Sequence, residues 1–421
     1  MTSEAAAAGS RPVLGVLPNM RSPMELARAA AGVCDLVWIV DSGDDRQPVV
    51  PRLLRKLGTV VDIVGMSEDE AADALRPCHL DGIIAYADYI MSRASALASR
   101  LGLDFHDEVV TERIVDKLPQ RTALRDGGLP VPRFVVVAPE PTSEELDAVV
   151  QSVEFPVVVK PRHGATSRDT VLAHDAAELR KQLAAPPSVG SDPTKLVEEF
   201  LVGATPPPSP HLADYCSVES VVCAGQISHV AVTGRFWPAE PFRETGMILP
   251  SDYEPPVVKA VLDVATRAIS AVGVRIGFLH TEIKITPDGP RVLEVNGRLG
   301  GGVPEMLALA AGLDLYQMSF RVALGERIVF DELVPTDRVG YLICRQPPQW
   351  ARRVVSVESL DAVAEYPGVQ AVSLNRQPGD EVDWRKGSHQ YIFTVIGAAP
   401  DHEGVLAVRQ LAEEGVQITY A

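Results

Sequence analysis

The most chemistry-bearing residues of this sequence fall in two short stretches, Thr281-Glu282-Ile283-Lys284 and Leu293-Glu294-Val295-Asn296-Gly297-Arg298. Both read as strands, in which side chains alternate between faces. Glu294, Asn296 and Arg298 then share one face while Leu293 and Val295 turn to a core, and Glu282 shares a face with Lys284. The tight turn Thr286-Pro287-Asp288-Gly289 lets the two strands pair, which would bring two carboxylates and an amide oxygen together. Such an all-oxygen set suits Mg²⁺, with its other positions left to water and phosphate. Arg298 beside it is a fixed cation whose fork fits phosphate or carboxylate oxygens. A charged surface hairpin would use the same residue types, so the flanks decide. Next comes Leu299-Gly300-Gly301-Gly302-Val303-Pro304-Glu305, a bare backbone leading into a helix with proline in its first turn. Amides at Gly300, Gly301 and Gly302 would face an anion there; the bland alternative is a flexible connector. His280 faces the site with Glu282 only if that strand is regular, and otherwise is a structural histidine.

Further upstream, Phe155-Pro156-Val157-Val158-Val159-Lys160-Pro161 puts Lys160 at the end of an apolar strand. Arg162-His163-Gly164-Ala165-Thr166-Ser167 follows as a small-residue loop able to close over phosphates, although most lysines in such places simply face solvent. Leu196-Val197-Glu198-Glu199-Phe200-Leu201 supplies an acidic strand edge, where backbone groups could read an adenine and a carboxylate could hold ribose hydroxyls.

These groups need a scaffold. Strands at Val13–Leu17, Leu36–Val40, Val60–Val64 and Gly82–Tyr86 alternate with helical stretches at Met24–Ala31 and Ala94–Leu101, which predicts a small parallel α/β unit. The turn Gly15-Val16-Leu17-Pro18-Asn19 lacks a dinucleotide-binding glycine pattern and reads as scaffold or substrate wall. Glu112–Asp126 predicts a linking helix broken at Pro119. Strands Arg133–Val137, Val157–Lys160 and Lys195–Phe200, with helices Ser143–Ser152 and Ala176–Ala184, form a lid-sized unit. After the proline-rich loop Thr205–His211 come a hairpin (Tyr215–Val222, Gln226–Thr233), a helix Pro256–Val272 ended by Gly273, the strands Gly277–Ile285 and Pro290–Val295, and a helix from Pro304 to Ala311. The tail is mostly short strands.

With 421 residues the chain is too long for one core. Thirty-nine basic against 56 acidic residues give a net charge of −17, which disfavours nucleic acid or anionic membrane as a partner. Five scattered cysteines without a CxxC pair argue against a disulfide framework or zinc site and for a reducing cytoplasm. Residues 2–10 lack the features of a signal peptide, and the expectation is a cytoplasmic soluble protein with a frayed N-terminus.

In order and spacing, Asp116-Lys117, Val158-Val159-Lys160-Pro161, Val197-Glu198-Glu199-Phe200-Leu201, Tyr215-Cys216-Ser217-Val218-Glu219 and Glu282 with Glu294-Val295-Asn296-Gly297-Arg298 resemble the motifs of ATP-grasp enzymes, over roughly 110–330. The resemblance implies an α/β (α+β) ATP-grasp fold. It would comprise an N-terminal parallel α/β domain (1–108), a linker helix and lid subdomain (109–202), a central catalytic subdomain (203–330) and a small β-rich C-terminal domain (331–421). It implies that Lys117 and Lys160 hold ATP phosphates and that Glu198, Glu199, Phe200 and Leu201 contact adenine through their backbone, with Glu219 also on the nucleotide side. Glu282, Glu294 and Asn296 would ligate a pair of Mg²⁺ ions (Mn²⁺ as a substitute), and Arg298 would bind the substrate carboxylate and its acyl phosphate. One departure stands out: the loop after Lys160 has the single glycine Gly164, where many relatives have several.

Trp237 to Gly246, with Phe242-x-Glu244-x-Gly246 and then Pro250, together with the β-rich tail, resembles the L-amino-acid ligases that make dipeptides. Many of those serve natural-product pathways. The implied activity joins a small carboxylic acid to an amine or amino acid. Arg298 and Lys160 would be catalytic, Glu244 a candidate base, and Gly300–Gly302 would stabilise the oxyanion. A bicarbonate-activating carboxylase and a non-catalytic nucleotide-binding protein are the rivals. Homodimers are common in the family, and no residue here reports on that.

Overall fold

The computed structural model describes residues 11–18, 22–41 and 51–421, so the expected frayed N-terminus and Asn19 lie outside the described residues. Strands β1 (Val13–Leu17), β2 (Asp35–Val40), β3 (Thr59–Asp62) and β4 (Gly82–Ala85) form a parallel sheet in the order β3-β2-β1-β4. Helices α1 (Pro23–Ala30), α2 (Pro51–Leu57), α3 (Glu68–Leu75) and α4 (Asp88–Leu101) accompany them. Strands covered on both faces read as unbroken apolar runs, as Leu36-Val37-Trp38-Ile39-Val40 does, and all five are buried.

The linker is two helices, α5 (Glu108–Val115) and α6 (Lys117–Asp126). Their break falls at Asp116, not at Pro119. Asp116 is extended (φ −117°, ψ 119°) and its carboxylate accepts the Leu118 N–H at 3.0 Å as the cap of α6. Pro119 sits in the first turn of α6, where its missing N–H would have no partner within the helix.

The lid-sized unit contains β5 (Phe134–Val137), α7 (Ser143–Ser152), β6 (Val157–Pro161), β7 (Val171–Ala173), α8 (Ala176–Ala184) and β8 (Lys195–Glu199). Its strands pair antiparallel in the order β5-β8-β6-β7. β7 adds to the three expected strands; three residues are too few to carry a periodic signal. β8 lies inside this sheet rather than at its edge, which matters for the adenine expectation below.

The remainder contains β9 (Tyr215–Cys223), β10 (Gln226–Arg235), β11 (Gly246–Leu249), α9 (Pro255–Val272), β12 (Gly277–Thr286), β13 (Gly289–Asn296), α10 (Val303–Ala311) and α11 (Leu315–Ala323). After these come β14 (Val339–Cys344), β15 (Val354–Glu358), α12 (Leu360–Ala364), β16 (Val369–Leu374), β17 (Phe393–Ala399), α13 (His402–Gln410) and β18 (Gln417–Tyr420). The β9–β10 turn is the two-residue Ala224-Gly225 kind with both φ positive, 51° and 82°. The strand order β13-β12-β9-β10-β11-β14-β17-β16 carries the tail into the central sheet through the β11–β14 pairing. The stretch 331–421, expected as a separate β-rich domain, therefore shares a sheet with 203–330, and only β15 and β18 pair apart. Buried side chains of both stretches pack in one cluster, Val218, Val232 and Ile283 with Tyr341, Ile343 and Val395 among them. No helix among the described residues is long and apolar enough to cross a membrane.

Candidate active site

Register builds the site. In β12–β13, Glu282 lies opposite Glu294 and His280 opposite Asn296; in β9–β12, Glu219 lies opposite His280 and Ser217 opposite Glu282. Directly opposed residues point to the same face. Three strands thus gather Ser217, Glu219, His280, Glu282, Glu294 and Asn296 into one polar field. The β12–β13 register shifts just beyond Glu282, where β13 carries Leu293 as an extra residue. Arg121 donates to the Leu293 carbonyl at 2.7 Å, and Gln120 exchanges hydrogen bonds with the Val295 N–H (3.0 Å) and carbonyl (2.9 Å). Helix α6 thereby fixes the strand that carries Glu294 and Asn296.

The inner end of the field is tightly paired. Buried Glu219 accepts from Ser217 Oγ at 2.8 Å and Thr233 Oγ1 at 3.1 Å, and takes His280 Nδ1 at 2.9 Å. The Glu219 carboxylate, expected on the nucleotide side, is held by these contacts and orients His280. Burial alone would favour neutral forms. It is outweighed by the charge and hydrogen bond between the partners, which hold Glu219 below its usual value and raise His280 to about 9. Arg235, fully buried at the end of β10, approaches His280 Nε2 at 2.9 Å; a guanidinium can only donate, so this contact favours the neutral ring. Glu219 and Glu282 (3.5 Å from Nε2) together outweigh Arg235, so the imidazole is shifted upward. His280 thus faces the site, with Glu219 behind it.

Arg235 also donates to Ser217 Oγ at 3.2 Å and pairs with Glu244. Glu244, the candidate base, is therefore engaged by a cation. Burial opposes the Glu282 charge, yet His280, Arg235 and Arg298 hold it down to about 2. A carboxylate so strongly ionised is suited to a cation.

The outer end holds the expected metal set. Among the described residues no group of three or more His, Cys, Asp and Glu side chains is arranged to hold a metal by itself. The donors are two carboxylates, Glu282 and Glu294, and the Asn296 amide oxygen. This set fits Mg²⁺, which keeps waters and takes phosphate oxygens, better than a metal needing a full protein cage. Lys117 Nζ lies 3.1 Å from Glu294 and donates to the Gly164 carbonyl at 2.8 Å, bridging the metal edge and the lid loop. Arg298 donates through Nε and Nη2 to Asp88 Oδ2 at 2.9 and 2.7 Å, and lies 3.4 Å from Asn296 Oδ1. A Cβ at Gly300 would come within 2.5 Å of His280 Nδ1, so only glycine lets this backbone approach the imidazole. Gly302, at φ 76°, opens α10 without a side-chain cap, and Gly301 borders open space.

On the lid side, Lys160 Nζ sits 2.5 Å from Glu198 Oε2, and Arg121 Nε lies 3.1 Å from Glu198 Oε1. Burial opposes the Glu198 charge, but these two cations hold it down to about 2, while burial pulls Lys160 below the usual lysine value. The Glu198 backbone lies inside the lid sheet, between β5 and β6, and its carboxylate anchors Lys160 and α6. Glu199 N–H goes to the Arg133 carbonyl at 2.8 Å, and Phe200 N–H to that of Pro156 at 3.3 Å. Beyond them, Phe200 lies under Lys284 (5.8 Å to the ring centroid) and 6.3 Å from the Phe242 ring, with Leu201 buried behind. Lys284 itself turns to Asp214 at 2.6 Å.

Sequence reasoning missed Asp88, Arg235 and Arg121. Asp88 opens α4 directly after β4, at the carboxyl end of a parallel sheet where ligand groups collect, and that position was a usable signal. Arg235 ends β10, whose last six residues are all buried, and the partners that make its charge tolerable come from three other segments.

Comparisons with known proteins follow the same outline. Residues 114–302 match the family model of the ATP-grasp domain. An uncharacterized protein, y4rH, of Sinorhizobium fredii is 26% identical over 350 residues, covering 80% of this chain and 67% of the relative. A D-alanine–D-alanine ligase of Gloeobacter violaceus is 28% identical over 249 residues, covering 55% of this chain and 76% of that protein. The crystal structure of an L-amino acid ligase from Bacillus licheniformis superposes with a TM-score of 0.77 at 20% identity, covering 98% of this chain and 99% of the other.

Proposed function

We infer from the ATP-grasp domain, which this chain carries over residues 114–302, that the protein is an ATP-dependent carboxylate–amine ligase working through an acyl phosphate. One observation carries the reading: Glu282 and Glu294 stand opposite each other, with Asn296 alongside and Arg298 beside them anchored to Asp88. That set offers cation sites for phosphate next to a guanidinium for the group to be phosphorylated.

A carboxylate does not acylate an amine at neutral pH, because oxide would have to leave. Attack of a carboxylate oxygen on the γ-phosphorus of ATP expels ADP and leaves an acyl phosphate. The amine nitrogen then attacks the carbonyl carbon, phosphate departs with the former carboxylate oxygen, and the nitrogen loses a proton. Transfer of this kind needs positioning and charge neutralisation more than a covalent nucleophile. Mg²⁺ held by Glu282, Glu294 and Asn296 would neutralise the phosphate oxygens. Lys117 and Lys160 face the same phosphates from the linker and the lid. Arg298 orients the carboxylate, and the amides of Gly300–Gly302 receive the oxyanion. Glu244 serves as the partner that fixes Arg235 rather than as a free base. Asp88 Oδ1 is buried without a hydrogen-bond partner, and an ammonium group would satisfy it, which favours an amino acid as one substrate.

The test is a matrix of amino acids and small carboxylic acids, read by phosphate release from ATP and then by product mass. A ligase gives release that depends on a carboxylate–amine pair and a product equal to their sum less water. Release driven by bicarbonate alone would mark a carboxylase, and nucleotide binding without turnover under any acceptor would mark a scaffold.

A further inference from the structure

The lid loop carries a feature that nucleotide binding alone does not require. With one glycine available, the loop after β6 places Thr166 (φ 60°), Ser167 (φ 57°) and Asp169 (φ 49°) in the left-handed region. Non-glycine residues are strained there and persist where surrounding contacts hold them. The contacts come from the far end of the chain. Ser388 N–H donates to the Thr166 carbonyl at 2.7 Å, and Asp169 N–H to the Arg385 carbonyl at 2.9 Å. Gly387 between them has φ 82°, and a Cβ there would lie 2.2 Å from the Thr166 oxygen and 2.8 Å from the Arg168 nitrogen. Lid and tail meet backbone to backbone, at a distance only glycine permits.

The same tail residue holds the substrate side. Glu244 N–H donates to Ser388 Oγ at 3.0 Å, and the Gln346 amide donates both to the Glu244 carbonyl at 2.7 Å and to the Ser388 carbonyl at 2.9 Å. Glu244 pairs with Arg235, which reaches His280. An unbroken chain of contacts thus runs from Thr166 in the lid, through Gly387-Ser388, to Glu244, Arg235 and the metal-side strand.

We propose that Gly387-Ser388 is a latch that couples closure of the lid loop over nucleotide to ordering of the Ala239–Gly246 segment, with Ser388 as a positioning residue for Glu244 and Arg235. Opening the lid strips Ser388 N–H and Asp169 N–H of their acceptors, and the segment that seats Glu244 loosens with them. Nucleotide and acceptor substrate then bind with positive coupling, each raising the affinity for the other by the same factor. The proposal rests on the ligase reading only in its nucleotide.

Hydrogen–deuterium exchange on the full chain, with and without a non-hydrolysable ATP analogue and Mg²⁺, tests it without knowing the substrates. In the wild type the nucleotide should slow exchange in the 162–170 loop, in 384–390 and in 239–246 together. Gly387→Ala should weaken nucleotide binding about tenfold, within the usual range of site coupling, and abolish the nucleotide-dependent change at 239–246. Ser388→Ala keeps the backbone latch and the Gln346 bridge but loses the Oγ contact to Glu244, so nucleotide should still protect the lid while the response of 239–246 shrinks. If 239–246 responds equally in wild type and Ser388→Ala, or never responds although nucleotide binds, the latch is overturned and the ligase reading stands. If the wild type binds no nucleotide, both fail.

Discussion

Two regions of this molecule fix their charged groups by opposite means. On the central face, β9, β12 and β13 set Glu219, His280, Glu282, Glu294 and Asn296 by cross-strand register, inside a sheet of eight strands. In the lid, a four-stranded sheet presents Lys160, and the loop beyond it is held by point contacts: Arg162 on Asp116 (2.6 Å), Lys117 on the Gly164 carbonyl, and the tail on Thr166. Moving a side chain of the central face means breaking a ladder, whereas releasing the loop breaks a handful of hydrogen bonds. On the proposed reading, a site that holds cations rigidly yet admits and releases a nucleotide has reason to be built from one region of each kind.

The comparison breaks most visibly at Glu294. Glu294→Ala should cut ATP turnover by about 1,000-fold, the upper end of the general scale of charge stabilisation in transfer sites, with an unchanged circular dichroism spectrum. Residual turnover near wild type at ordinary Mg²⁺ would sever the central face from the chemistry. Asp88→Ala leaves the ladder intact but frees Arg298, and misplacing such a group costs on the order of 100-fold. Steady-state kinetics should place that loss in kcat/KM for the carboxylate rather than in the KM for ATP.

Acid titration sharpens the contrast from the lid side. Folding lowers Glu198 from 4.5 to about 2, so its contribution is present above pH 4.5 and is lost as pH falls toward 2. At most this is on the order of 3 kcal/mol. Denaturant melts at several pH values should show a shallower acid decline in Glu198→Gln. The smallest effect belongs to Asp116→Ala, which removes the α6 cap and the Arg162 partner and should cost about 1–2 kcal/mol in urea unfolding.

How much of this could be read beforehand follows the same division. The β12–β13 pair was legible because Pro287-Asp288-Gly289 marks the turn and the alternation of Glu294, Asn296 and Arg298 fixes their face. Glu219 was legible as a motif member but not as a buried partner of His280, since its role depends on which strand lies beside β9. Asp88 and Arg298 meet across 210 positions, a contact no local period encodes. The lid loop was hardest. Its left-handed residues are Thr, Ser and Asp rather than glycine, and their stabilising partners lie in a tail whose strands read as a separate domain.

The most direct measurement follows an oxygen atom. The protein is supplied with ATP and amino acids labelled with ¹⁸O in their carboxylates, and the released phosphate is analysed by mass. Passage through an acyl phosphate carries one labelled oxygen from carboxylate to phosphate at every turnover, and that is the expected result. Amide product accompanied only by unlabelled phosphate would contradict the account at its centre.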